Sequence, residues 1–82
     1  MDSEKSTKQT IALTGASGQL GTLILRRLID DRKVDRIIAI DRVPPTLISR
    51  KIEWLQKDIC DTDLDQHLQG VDVLIHLAFI VT

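Results

Sequence analysis

Three of the chain's four glycines, Gly15, Gly18 and Gly21, fall three residues apart in "LTGASGQLG", between an apolar run and a helical pattern. The run before them, "TIALT" (Thr10–Thr14), is short and β-prone and shows no alternating polar face. That is the pattern of a strand covered on both sides, as in parallel sheets. After the glycines, "QLGTLILRRLIDDRK" places Leu20, Ile24 and Leu28 at four-residue intervals, with Leu23 three after Leu20. This predicts a helix with that stripe toward the core, and Arg26, Arg27, Asp30 and Asp31 on the solvated face. A helix that starts this way exposes backbone N–H groups and the positive end of its dipole, which together attract an anion. The dipole contributes about 0.3–1 kcal/mol, up to ~2 when partly buried. A phosphate must approach the main chain closely, and a Cβ would obstruct it. Gly15 is therefore expected to permit the tight turn and Gly18 the approach of a pyrophosphate. Gly21 costs about 1 kcal/mol relative to Ala inside a helix, and close packing of that helix on the first strand would explain it. Ser17 offers a hydroxyl donor to the phosphate.

The rest of the chain repeats the alternation. "RIIAID" (Arg36–Asp41) predicts a second buried strand that ends in a carboxylate. "RVPPTLISRK" predicts a loop, since adjacent prolines suit neither sheet nor helix interior. "IEWL" (Ile52–Leu55) predicts a third strand. "DTDLDQHLQG" predicts a compact helix capped by Asp61 or Thr62, with acids in its first turn and Gly70 at its exit. "VDVLIHLAF" (Val71–Phe79), the most hydrophobic segment, predicts a fourth strand buried on both faces. Strands alternating with crossovers imply parallel pairing and right-handed connections. The expected fold class is α/β, a Rossmann-type parallel sheet of strand order 3-2-1-4, with residues 1–9 as a polar tail and 10–82 as the N-terminal portion of a doubly wound domain.

A dinucleotide site of this kind also needs an acid about 20 residues on, at the end of the next strand, to hold the adenosine ribose. Asp41 lies 20 residues beyond Gly21 and closes the second strand. An ordinary turn and a chance strand-end acid would leave both Gly21 and the placement of Asp41 without a reason. A carboxylate accepts from a 2′-hydroxyl and repels a 2′-phosphate, which favours NAD. Arg42 beside it argues for NADP, because a guanidinium pairs a phosphate. NAD is the expected cofactor, since Asp41 holds the discriminating place.

The glycine spacing is G-x-x-G-x-x-G, and "TGASGQLG" resembles the signature of the extended short-chain dehydrogenases/reductases, the NAD-dependent epimerase/dehydratase group. "DIC" (Asp58–Cys60) is similar to that family's element after the third strand, and "HLAF" (His76–Phe79) to its "HLAA" at the end of the fourth. The resemblance covers nearly the whole chain after the tail. It implies that Gly15, Ser17, Gly18, Gln19 and Leu20 line the pyrophosphate, with Gly21 packing behind them. It implies that Asp41 holds the ribose with Arg42 beside it, and that Asp58 and Ile59 border the adenine. Leu77, Ala78 and Phe79 are implied near the nicotinamide-side ribose; Phe79 stands where the family has Ala or Gly. The activity implied is oxidoreduction, epimerisation or dehydration of a sugar nucleotide or related hydroxyl/carbonyl compound. The family's acid/base pair is Tyr-x-x-x-Lys, and this chain has no tyrosine, so no catalytic residue is assigned.

Composition narrows the alternatives. A net charge of −1 gives no field that favours nucleic acid, and Trp54 and Phe79 are too few aromatics for a base-stacking platform. No segment approaches the roughly 20 apolar residues of a membrane span, and the polar start lacks a signal core. With the single Cys60 these suggest a cytoplasmic setting. Cys60 is expected to be a buried, inert thiol, His76 a structural hydrogen bonder, His67 solvent-facing and Trp54 core or pocket edge. The acids of "DTDLDQ" read as helix caps, so no metal site is expected. Two readings of the whole remain. In one, the chain is the cofactor half of a longer enzyme, whose other part meets a small-molecule substrate. In the other, it is a non-catalytic dinucleotide-sensing or regulatory binding module, or an interaction domain that has lost the nucleotide. The first is preferred, because an uncovered hydrophobic fourth strand would self-associate through its edge.

Overall fold

A computed structural model of the protein describes residues 8–58 and 63–77. Strand β1 (Gln9–Thr14) leads into helix α1 (Gln19–Ile29) and strand β2 (Val34–Asp41). Strand β3 (Ile52–Gln56), a single helical turn α2 (Leu64–His67) and strand β4 (Val73–His76) follow. The four strands form one sheet in the order β3-β2-β1-β4, and each neighbouring pair is parallel. This is the expected Rossmann-type arrangement. Leu13 stands opposite Ala39 on one side and Ile75 on the other, and the one irregularity in the β1–β2 register lies between Gln9 and Thr10.

Alternate residues of each strand feed two cores. Ile11, Leu13, Ile37 and Ala39 point toward α1 and pack with Leu25 and Ala16. Ala12, Ile38 and Ile40 point the other way, under Leu64, Leu68 and Val71. Leu13, Leu25, Ile37 and Ile40 are fully buried, each contributing roughly 1.5–3 kcal/mol of hydrophobic stabilisation. β1 and β2 are buried on both faces because they occupy the centre of the sheet.

Three expectations change. The helix buries Gly21 and Leu25, with Ile24, Leu28 and Ile29 half-buried, whereas Leu20 and Leu23 are more than half exposed. The core stripe is therefore rotated from the Leu20–Leu23 side. β4 is an edge strand and not a covered one: Val73 and Leu74, which point to opposite faces, are both exposed. Finally, Asp63 stands at the N-cap of α2 but makes no capping bond; its carboxylate takes the Lys57 ammonium at 2.7 Å instead. Asp61 and Thr62, the two expected caps, lie outside the described residues, as does Cys60. Gly70 leaves the segment with φ +84°, the left-handed conformation expected of a helix exit.

Candidate functional site

The site forms where the carboxyl ends of β1 and β2 meet the start of α1. Gly15 turns the chain with φ +70°, a conformation that side chains disfavour. Its amide and that of Ala16 both donate to the Ile40 carbonyl, at 3.0 and 3.4 Å, which ties the turn to the end of β2. The Gly18 amide returns to the Gly15 carbonyl at 3.2 Å, and α1 begins. A Cβ on Gly21 would overlap the Gly15 carbonyl oxygen and lie 2.8 Å from two backbone atoms of Ala16. The close contact is thus between the helix and the turn after β1, more than with the strand itself.

Gly18 is different. Its backbone is extended (φ −75°, ψ 178°), open to any residue, and a Cβ there would meet only the Gly15 oxygen, at an ordinary 3.6 Å. Neither conformation nor packing demands glycine at this place. What its absent side chain does is leave bare main chain beside the first turn of α1. The amides of Gln19, Leu20 and Gly21 there have no carbonyl four residues back within the helix. Gln19 and Leu20 are exposed beside them.

Asp41, the last residue of β2, reaches back to the turn. Its Oδ2 accepts from the Ser17 amide at 3.0 Å, and its Oδ1 from the Val43 amide at 3.3 Å. The Ser17 hydroxyl donates to the Val43 carbonyl at 2.5 Å. Its hydrogen is thus directed to the protein's own main chain. Beyond Asp41 opens a groove of about 730 Å³ lined by Asp41, Arg42, Val43, Gln56, Lys57 and Asp58. Arg42 is largely exposed, with its guanidinium 3.9 Å from the Asp58 carboxylate. At the far end of the groove the Lys57 ammonium holds the Asp63 carboxyl below its ordinary range, and the more distant His67 reinforces this weakly. Trp54 lies on the edge strand, partly exposed, its indole N–H on the Asp41 carbonyl at 3.1 Å.

On the other side of the turn, β1 and β4 end together. The Thr14 hydroxyl oxygen accepts from the Leu77 amide and lies 2.9 Å from His76 Nδ1. His76 is thus a hydrogen-bonded partner of buried Thr14, and Leu77 packs toward the α1-side core. Sheet order reverses between these two strands, the place where open α/β sheets leave a crevice. The fold brings Gly15, Ser17, Gly18, Gln19, Leu20, Gly21 and Asp41 to one end of the sheet, with Arg42 and Asp58 in the adjoining groove. Ile59, Ala78 and Phe79 lie outside the described residues. From sequence Gln56 and Lys57 are not singled out, although the last residue of a parallel strand and the one after it sit at this edge by construction. Val43 gave no such signal, because its place depends on the Ser17 contact.

A parallel sheet in this order, with a glycine turn facing an acid at the end of the second strand, defines a dinucleotide-type Rossmann unit. The chain belongs to the NAD-dependent epimerase/dehydratase family, whose pattern matches residues 11–82. It is 32% identical over 82 residues to a Bacillus subtilis protein named as an uncharacterized UDP-glucose epimerase, covering 85% of this chain and 26% of that one. It is 43% identical over 64 residues to a peramine synthetase of Metarhizium rileyi, covering 76% of this chain and 2% of that one. Among solved structures, uronate dehydrogenase from Agrobacterium tumefaciens superposes with a TM-score of 0.77 at 26% identity, covering 93% of this chain and 28% of that one. A UDP-glucuronic acid 4-epimerase from Bacillus cereus, solved with NAD and a fluorinated UDP-sugar, gives 0.75 at 27% identity, covering 88% and 27%. The chain spans about a quarter of the length of the epimerases and the dehydrogenase it matches, and far less of the synthetase.

Proposed function

We propose that the chain supplies the adenosine and pyrophosphate half of an NAD site in an oxidoreductase, epimerase or dehydratase acting on a sugar nucleotide or related hydroxyl/carbonyl compound. The observation that carries this reading is Gly18, a glycine that the fold itself does not require, placed where the first-turn amides of α1 are bare. Gly15, Gly18, Gln19 and Leu20 would receive the pyrophosphate there. Asp41 would accept from the ribose hydroxyls, since each carboxylate oxygen keeps a lone pair beyond its amide partner. The groove over Gln56, Lys57 and Asp58 would take the adenine, with Ile59 at its border, and Leu77, Ala78 and Phe79 would follow the nicotinamide-side ribose. A 2′-phosphate would face the Asp41 carboxylate, so NAD is favoured over NADP; Arg42 is engaged with Asp58 across the groove. Bound nicotinamide supplies a hydride acceptor and donor. The acid/base partner for that chemistry would come from outside these 82 residues, which contain no tyrosine. The structure and sequence names of the relatives, dehydrogenase and UDP-sugar epimerase, support the substrate class.

Calorimetric titration tests the reading. The chain should bind NAD more tightly than NADP, and Gly18→Val should lose NAD binding at least tenfold while the protein stays folded, with a Tm change no larger than the cost of a poorer helix cap. Equal NAD binding by the valine variant would remove the reading's main support.

A further inference from the structure

Ser17, Asp41 and Val43 close a ring of three hydrogen bonds. The Ser17 amide and the Val43 amide each hold one oxygen of the Asp41 carboxylate, and the Ser17 hydroxyl holds the Val43 carbonyl. Two donors from different segments fix both the position and the plane of the carboxylate, which a single donor would leave free to rotate. Val43 has little else to hold it there. It is 57% exposed, and two prolines that cannot donate backbone bonds follow it. The segment leaving β2 is thus fastened to the glycine turn by polar contacts and not by packing, and the Ser17 hydroxyl is the one side-chain donor in the ring.

We propose that Ser17 is a specificity-determining positioning residue, whose hydroxyl, through Val43, holds the Asp41 carboxylate in the pose that accepts a free ribose 2′-hydroxyl and excludes a 2′-phosphate. This rests on the dinucleotide reading above, and it gives Ser17 a different task from contacting the pyrophosphate. Without the hydroxyl, Val43 loses its carbonyl partner, the Val43 amide leaves Oδ1, and the carboxylate swings on the remaining Ser17 amide. The exposed Arg42 guanidinium, on the residue between Asp41 and Val43, moves with the loosened segment. A 2′-phosphate then meets less organised repulsion.

The test is Ser17→Ala in the full chain, titrated with NAD and with NADP, alongside amide hydrogen exchange on the ligand-free protein. NAD affinity is expected to fall about five- to tenfold, the size of one lost hydrogen bond, while NADP affinity stays within about twofold, so the ratio between them falls. Exchange at the Val43 amide is expected to quicken about tenfold, while the Leu13 and Ala39 amides in the sheet are unchanged. Equal weakening of both dinucleotides would make Ser17 a phosphate contact and overturn the proposal, as would an unchanged ratio. If the wild-type chain binds neither dinucleotide, the underlying reading falls and the specificity assignment with it, while the exchange result still decides whether the ring exists.

Discussion

Gly18 and Gly21 share one turn and one residue type, and the surroundings give them opposite meanings. At Gly21 an added methyl has no free volume, because what it would strike is the main chain of Gly15 and Ala16, which is itself tied to Ile40. Alanine favours a helix over glycine by about 1 kcal/mol, but overpacking against fixed backbone costs about 1–3 kcal/mol, and here it involves three atoms. Gly21→Ala is expected to lower stability by about 2 kcal/mol, a Tm drop on the order of 10 °C for a domain this small. Gly18→Ala is expected to change stability by no more than about 1 kcal/mol, since the residue fits and the unfolded chain loses freedom while alanine is a poorer N-cap than glycine. Thermal melts of the two variants by circular dichroism decide the matter; a loss in Gly18→Ala as large as that in Gly21→Ala would mean that the fold, not a ligand, needs that glycine.

At the scale of elements, α2 is one turn long and carries its polar anchor outside itself, in the Lys57–Asp63 pair. The Lys57 ammonium depresses the Asp63 pKa below its ordinary 3.8 in the folded state. The folded chain therefore holds this proton less tightly than the unfolded one. The pair's contribution is full above about pH 4 and is lost as pH falls through the depressed value. Glu53 on β3 behaves the same way, because Arg36 donates two bonds to its carboxylate. Acid titration of Tm is expected to show a decline below pH 4 that Asp63→Asn and Glu53→Gln together flatten, with little change at pH 7, where exposed pairs contribute modestly. An acid decline of the same size in the double variant would place the sensitivity elsewhere. Elements differed in how far they could be read in advance. β1 and β2 were legible because an unbroken apolar run means burial on both faces wherever it lies at the sheet centre. The sheet order and the Gly15 turn followed from strand alternation and spacing. The α1 stripe was misplaced because counting leucines gives no weight to Gly21, the residue in closest contact, and so favours Leu20 and Leu23 over the Gly21–Leu25 line. The Ser17 hydroxyl was assigned outward, to a phosphate, because its partner is 26 residues away on a segment with no pattern of its own. From sequence Asp63 is only one of the acids of the first turn of α2, because capping is a local rule; its partner Lys57 reaches it from across an intervening segment.

For the whole molecule, the two edges of the sheet are finished differently. β3 is guarded by the exposed Arg36–Glu53 pair. β4 offers Val73 and Leu74 to solvent on its two faces and has neither Lys nor Pro between Val73 and His76. The Gly15 amide serves β2, so Thr10, Ala12 and Thr14 serve β4, and in the register that pairs Ile11 with Val73 it is Val73 and Ile75 that bond β1, while Leu74 and His76 turn their N–H and C=O groups outward. An edge with unpaired backbone groups and apolar side chains on both faces is a template for another strand. A second copy brought up by a two-fold axis can place its own β4 there, antiparallel, and bury both pairs of exposed side chains in an eight-stranded sheet. The 82-residue chain is accordingly expected to dimerise in a concentration-dependent way, seen as a rising weight-average mass in sedimentation between low and high micromolar protein. Leu74→Lys places a charge on a side chain that already faces solvent, so it should restore the monomer with little loss of folding. Edge pairing, unlike nonspecific stickiness, also predicts slowed exchange at the Leu74 and His76 amides as concentration rises. A wild-type chain that stays monomeric across that range, with the Leu74 and His76 amides exchanging freely, would show that the 82-residue chain tolerates an uncovered β4 edge.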